Sequence, residues 1–190
     1  SWVVFREEVK IWFGTMEKKL RELVNVWTND LNHNVIPFWQ KYSVDRVHGG
    51  YFTHLDENGD RYGLFDEPEN AHTHKNKHRL SDTKYMWLQG RQVWMFSRLF
   101  DSPDVVTCDK TRESLFRDAA IGASFLINCV RPKNGNYYFS VSRDGKKGLH
   151  VQRKPYTAVF HCLACLEFHR VLVKHADTSL IKKFLKKKGS

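Results

Sequence analysis

Arg91 is the residue whose type and setting most invite chemistry. It stands in "KYMWLQGRQVWMFSRL", residues 84–99, a stretch apolar on nearly every side and read as a helix. At ~100° per residue, Trp87, Arg91, Trp94 and Arg98 fall within roughly 60° of one another, with Lys84 beside them. Leu88, Met95 and Leu99 flank this strip on one side, Met86 and Val93 on the other. A guanidinium sharing a face with two indoles has two uses. It can pair with a carboxylate and stack on Trp in the interior. Alternatively, its planar fork can meet sugar hydroxyls or a developing oxyanion. The residues alone leave both open. Gly90, lacking a side chain, permits close approach of either another helix or a ligand.

Other constellations are weaker. Asp56, Asn58, Asp60 and Glu67 follow calcium-loop spacing, but Arg61 stands where that loop needs glycine, so no calcium site is expected. His72, His74 and His78 lie in a polar stretch where adventitious metal contact or solubility is the simpler reading. Cys162 and Cys165 share a helical face with His169, and their apolar surroundings point to core packing. No phosphate loop or dinucleotide fingerprint is present.

These residues need elements to hold them. Apolar residues at threes and fours from Phe5 to Leu31 predict a first helix, expected to stop or turn at Pro37. "HGGYFTHLDENGDRYG" reads as a β-hairpin turning at Asn58-Gly59. A polar stretch before Lys84 reads as a surface loop. Helices are then expected over 84–99, 112–130 and 155–175, with a second hairpin turning at Asp144-Gly145 and a further helix beginning near Ser179. Helix, hairpin, helix thus occurs twice, the signature of an α/α array or toroid. The expected fold class is all-α with two short β-hairpins.

The chain has 190 residues with 41% hydrophobic and 27% charged, within the range of soluble globular proteins. No apolar run is read as spanning a bilayer of ~20 residues, and charges come too early for a secretory signal. Four cysteines without a small-domain framework point to reduced thiols and a cytoplasmic setting. Net charge is +10, partly from lysines in "IKKFLKKKGS", which read as a solvated basic tail over 178–190. If that excess binds anything, the partner is a polyanion. Neither a membrane nor nucleic acid is expected as the main partner.

"PFWQKYSVDRVHGGYFTHLDENGDRY" followed by "KYMWLQGRQVWMFSRL" resembles the N-acylglucosamine 2-epimerase family, also called renin-binding protein. "SVSRDGKKGLHVQRKPYTAVFHCLACLEF" continues the likeness, which covers about residues 10–175, and residues 63–82 look inserted. The resemblance implies that 1–177 form the N-terminal part of an (α/α)6 barrel. It implies interconversion of N-acetylglucosamine and N-acetylmannosamine through an enediolate, with two histidines as acid and base. Those histidines are expected outside this chain, so the chain alone is expected to be inactive. Arg91 matches the family's pocket arginine, for substrate orientation and oxyanion stabilisation. Trp87 and Tyr138 are the further substrate-binding candidates. No cofactor is required, while ATP is a candidate activator through Lys146 and Lys147 beside Arg143. An amino sugar, a second copy of the chain and a renin-like protein are the candidate partners. An interaction protein without catalysis is the alternative reading.

Overall fold

The computed structural model describes residues 2–61, 82–133 and 135–188. The expected insertion 63–82, apart from Asp82, lies outside them, as do His72, His74, His78 and Glu67. The described chain is mainly helical and forms two compact units, residues 1–38 and 39–190.

In the first unit, α1 (Trp2–Asp30) runs into a π-helical turn, Leu31–Val35. The next helix, α2 (Ile36–Tyr42), contains Pro37, so the proline does not stop the helix as expected. The ring clashes with the carbonyl four residues back. A widened turn, in which Ile36 N–H reaches the Leu31 carbonyl, accommodates it.

In the second unit the elements are β1 (Lys84–Tyr85), α3 (Met86–Phe100), α4 (Asp109–Asn128), β2 (Tyr138–Val141), β3 (Gly148–Val151), α5 (Tyr156–Lys174) and α6 (Ser179–Lys188). Lys84 and Tyr85, expected to open α3, instead pair with Val141 and Ser140 of β2. The small antiparallel sheet has the order β1-β2-β3. Its β2–β3 hairpin turns at Asp144-Gly145 as expected, with Gly145 at φ 73°. In the stretch expected as the earlier hairpin, the described residues form the isolated bridges Val44–Tyr51 and Leu55–Arg61 and no ladder.

The core lies where α3 packs on α4 and α5. Val93, Phe96, Leu115, Phe116, Leu126, Ala164 and Val171 are buried there. Gly90 sets the α3–α5 crossing, because a Cβ at that position would lie 2.5 Å from the Phe160 carbonyl oxygen. Of its two sequence readings, helix approach is therefore the one realised. The lysine-rich end is not merely solvated. In α6, Ile181 is fully buried, and Phe184 meets Phe116 edge-on at 5.3 Å. Conversely, Cys162 and Cys165 are exposed rather than packed, together with Leu163 and Leu166 on the same helix. By length and composition α5 reaches the level of a membrane span, which the sequence reading did not anticipate.

Candidate functional site

The site begins with a loop that the polar core holds still. Asp45 is buried and accepts N–H bonds from Val47 (3.1 Å) and His48 (3.2 Å), closing the turn that leads into Gly49-Gly50. Its carboxylate also meets Lys84 Nζ at 2.9 Å and Arg143 Nε at 2.8 Å. Lys84 is fully buried, donates to the Gly49 carbonyl and lies 4.5 Å from the centroid of the Phe125 ring. Burial alone would raise the Asp45 pKa. Hydrogen bonds from Arg143, Lys84 and the His48 amide, with the Lys84 charge, outweigh it and hold the carboxyl far below the usual range. Burial lowers the Lys84 pKa, and Asp45 offsets this only in part.

Gln89 then fastens the loop to α3. Its side-chain oxygen accepts from Tyr51 N–H at 2.7 Å, and its amide nitrogen donates to the Tyr51 carbonyl at 2.8 Å. The side chain thus pairs with an extended residue as a neighbouring strand would. Tyr51 is anchored at its far end too, its hydroxyl donating to the Asp118 carbonyl at 2.8 Å.

With the loop fixed against α3, a cavity of about 300 Å³ opens between them. Trp39, Tyr51, Phe52 and Thr53 form one wall, and Leu88, Arg91, Gln92 and Met95 the other. Arg91 is exposed at this cavity and forms no ion pair with any described residue. The Gln92 amide nitrogen is buried without a hydrogen-bond partner among the described residues. Aromatic and aliphatic walls, one cation and the Gln92 amide suit a small polyhydroxylated molecule. Negative charge developing on a bound oxygen would find the guanidinium at hand.

The other sequence candidates fall elsewhere. Trp87 packs against Phe160 of α5, ring centroids 5.8 Å apart, and Arg98 lies 3.6 Å from Glu167. The strip read from the helical wheel is therefore shared between the α5 contact and the cavity. Its place beside Arg91 is taken by Trp39. Tyr138 lies on β2, its ring filling the space above Gly148, and is not a wall residue of this cavity. Lys146 and Lys147 are exposed at the second hairpin turn, while Arg143 is committed to Asp45. No histidine among the described residues borders the cavity. His161 is buried instead with its Nε2 3.0 Å from an Arg131 nitrogen. Burial and the Arg131 charge lower its pKa.

Trp39, Tyr51, Phe52, Thr53 and Gln92 were not singled out as site residues, although all but Gln92 lie in the quoted Phe-Trp and Gly-Gly-aromatic segments. Asp56 gives its side-chain oxygen to the amides of Asn58 (2.9 Å) and Asp60 (2.8 Å), making a turn. A larger cavity, about 400 Å³ beside α4, includes Arg46 and Arg117, but both are paired, with Asp118 and Glu113.

The fold of this chain is one found in sugar epimerases. It covers 87% of this chain and 36% of the cellobiose 2-epimerase from Bacillus thermoamylovorans, with a TM-score of 0.58 and 21% identity. For the cellobiose 2-epimerase from Spirochaeta thermophila the values are 90%, 36%, 0.59 and 18%. No family model matches the sequence. Individual relatives do. The N-acylglucosamine 2-epimerase of Homo sapiens is 34% identical over 161 residues, covering 82% of this chain and 32% of that protein. The mouse protein of the same name is 34% identical over 162 residues, 82% and 33% of the two chains. By sequence, then, the chain is a relative of the N-acylglucosamine 2-epimerases, which are isomerases, and it spans about a third of their length.

Proposed function

We propose that this chain is the part of an N-acylglucosamine 2-epimerase that positions the sugar, within an (α/α)6 barrel completed by further helices. Arg91 carries the reading, as a cation unpaired among the described residues at a cavity walled by aromatic side chains. In the proposed reaction an N-acetylglucosamine or N-acetylmannosamine opens its ring and loses the proton at C2. The electron pair moves onto the aldehyde oxygen, giving an enolate that keeps the acylamino group on C2, and a proton returns to the opposite face. Arg91 orients that oxygen and stabilises its charge. Thr53 and Gln92 offer hydrogen bonds to the sugar hydroxyls or the acyl group.

An incomplete barrel accounts for the apolar residues that α5 leaves exposed, among them Tyr156, Val159, Leu163 and Leu166. It also accounts for the absence of a histidine among the described residues at the cavity. We expect the purified chain to bind N-acetylmannosamine weakly in saturation-transfer NMR and to give no C2 epimerisation. Arg91→Ala should abolish the transfer signal. Turnover by the 190 residues alone, or binding unchanged by Arg91→Ala, would contradict the proposal. The named relatives give the purely renin-binding alternative no independent support. ATP as an activator, with Lys146 and Lys147 as its contacts, stays part of the proposal.

A further inference from the structure

The lysine-rich end reads from sequence as a solvated tail, and its packing changes what it offers. Residues 177–188 hold five lysines and one acid, Asp177. In α6, Ile181 is fully buried, and the Phe184 ring meets Phe116 and Phe168 edge-on at 5.3 and 6.5 Å. These contacts fix the rotation of the helix. At ~100° per residue, Lys182, Lys186 and Lys183 then occupy an arc of roughly 100° on the opposite side. All three are exposed. Lys182 meets Asp177 at 3.2 Å, but the side chains are 57% and 104% exposed, so the pair leaves the charge at the surface. α6 itself contains no acid and no arginine.

The arc is charged, and that separates it from the apolar surfaces that further helices of a barrel would bury. Covering it with apolar residues would desolvate three ammonium groups without partners. It therefore faces outward whatever completes the fold. Lysines on a docked helix are also preorganised, and lose less freedom on binding than those of a loose tail.

We propose that this outer face of α6 docks on an anionic phospholipid surface, as a peripheral contact and not a span. The net charge of +10 draws the chain towards such a surface. Ile181 and Phe184, one turn apart, hold α6 down as a ridge, and a bilayer presents a ridge with a plane of headgroup phosphates. Leu185, 51% exposed, stands beside Lys182 and Lys186 and finds apolar surroundings at headgroup depth. A nucleic acid is the poorer match. A helix held down along its length does not enter a groove, Phe184 is turned inward and stacks on no base, and α6 has no arginine to fork on guanine. Each lysine at an anionic leaflet contributes about fivefold to partitioning.

Co-sedimentation of the full chain with vesicles tests this, using phosphatidylcholine alone or mixed with phosphatidylserine. The chain should pellet with the mixed vesicles and stay in solution with phosphatidylcholine alone. It should be released at about 1 M salt, where the Debye length is ~3 Å. Lys182→Glu with Lys183→Glu and Lys186→Glu should lower binding by roughly 100-fold or more. The same three reversals at Lys41, Lys133 and Arg153 should lower it far less. No pelleting with mixed vesicles, equal pelleting with both kinds, equal loss from the two triple variants, or retention by duplex DNA in place of vesicles would overturn the proposal. Should the glutamate variant fail to fold, the corresponding Lys→Gln triple, which removes charge without reversing it, decides, and unchanged binding there would contradict it.

Discussion

Gln89 and Arg91 stand two residues apart on α3 and use their polar groups in opposite ways. Gln89 is buried, with both ends of its amide bonded to Tyr51. Arg91 is exposed at a cavity and unpaired among the described residues. Between them Gly90 brings the α5 backbone against α3. One tripeptide thus fixes a loop, sets a helix crossing and presents a cation. The lesson is that a dense motif need not be a single site: here two of its three residues hold the framework together, and the third borders the cavity.

That contrast predicts unequal costs. The largest should fall on the buried charges beneath the loop. Asp45→Ala removes the partner of a fully buried ammonium and should cost about 3–5 kcal/mol in urea unfolding. The pH dependence follows from the same group. Its folded pKa lies below the unfolded value of ~3.9, so its stabilisation is complete above that value. It should be lost as pH falls through the folded value, and Asp45→Asn should flatten that part of the stability profile. A wild-type profile equally flat below about pH 4 would separate Asp45 from the network.

Gln89→Ala comes next. It strands the N–H and carbonyl of Tyr51 in the interior and should cost about 2–4 kcal/mol. Gly90→Ala forces a methyl onto the Phe160 carbonyl and should cost about 1–3 kcal/mol. Arg91→Ala should be the mildest, within about 0.5 kcal/mol, because it breaks no ion pair with a described residue. If Arg91→Ala proved as costly as Gln89→Ala, the division of labour along α3 would be wrong.

What the sequence disclosed follows the range of the interaction. The Asp144-Gly145 turn was legible because turn chemistry resides in the turn itself. The body of α3 was legible from its apolar pattern, but its start was not, since Lys84 and Tyr85 are drawn into a strand by Val141 and Ser140, far along the chain. Phe184 read as part of a lysine tail because its ring meets Phe116 of α4 and Phe168 of α5, partners that the local sequence does not show. Arg91 was legible as a candidate from its cost in an apolar helix. Trp39 and Thr53 were not, because contacts distant in sequence, among them the Gln89–Tyr51 clamp, bring them to the cavity beside α3. The cysteines of α5 misled for the converse reason, an apolar neighbourhood in sequence that no described element covers.

The central claim is that Arg91, and not its buried neighbour, meets the ligand. It is tested most directly by titrating N-acetylmannosamine into the 15N-labelled chain and following individual side-chain N–H signals. The account predicts that the Arg91 Nε–H and the Gln92 amide shift together while the Gln89 amide stays in place. Movement confined to the cavity beside α4, or saturating shifts that spare Arg91, would contradict it.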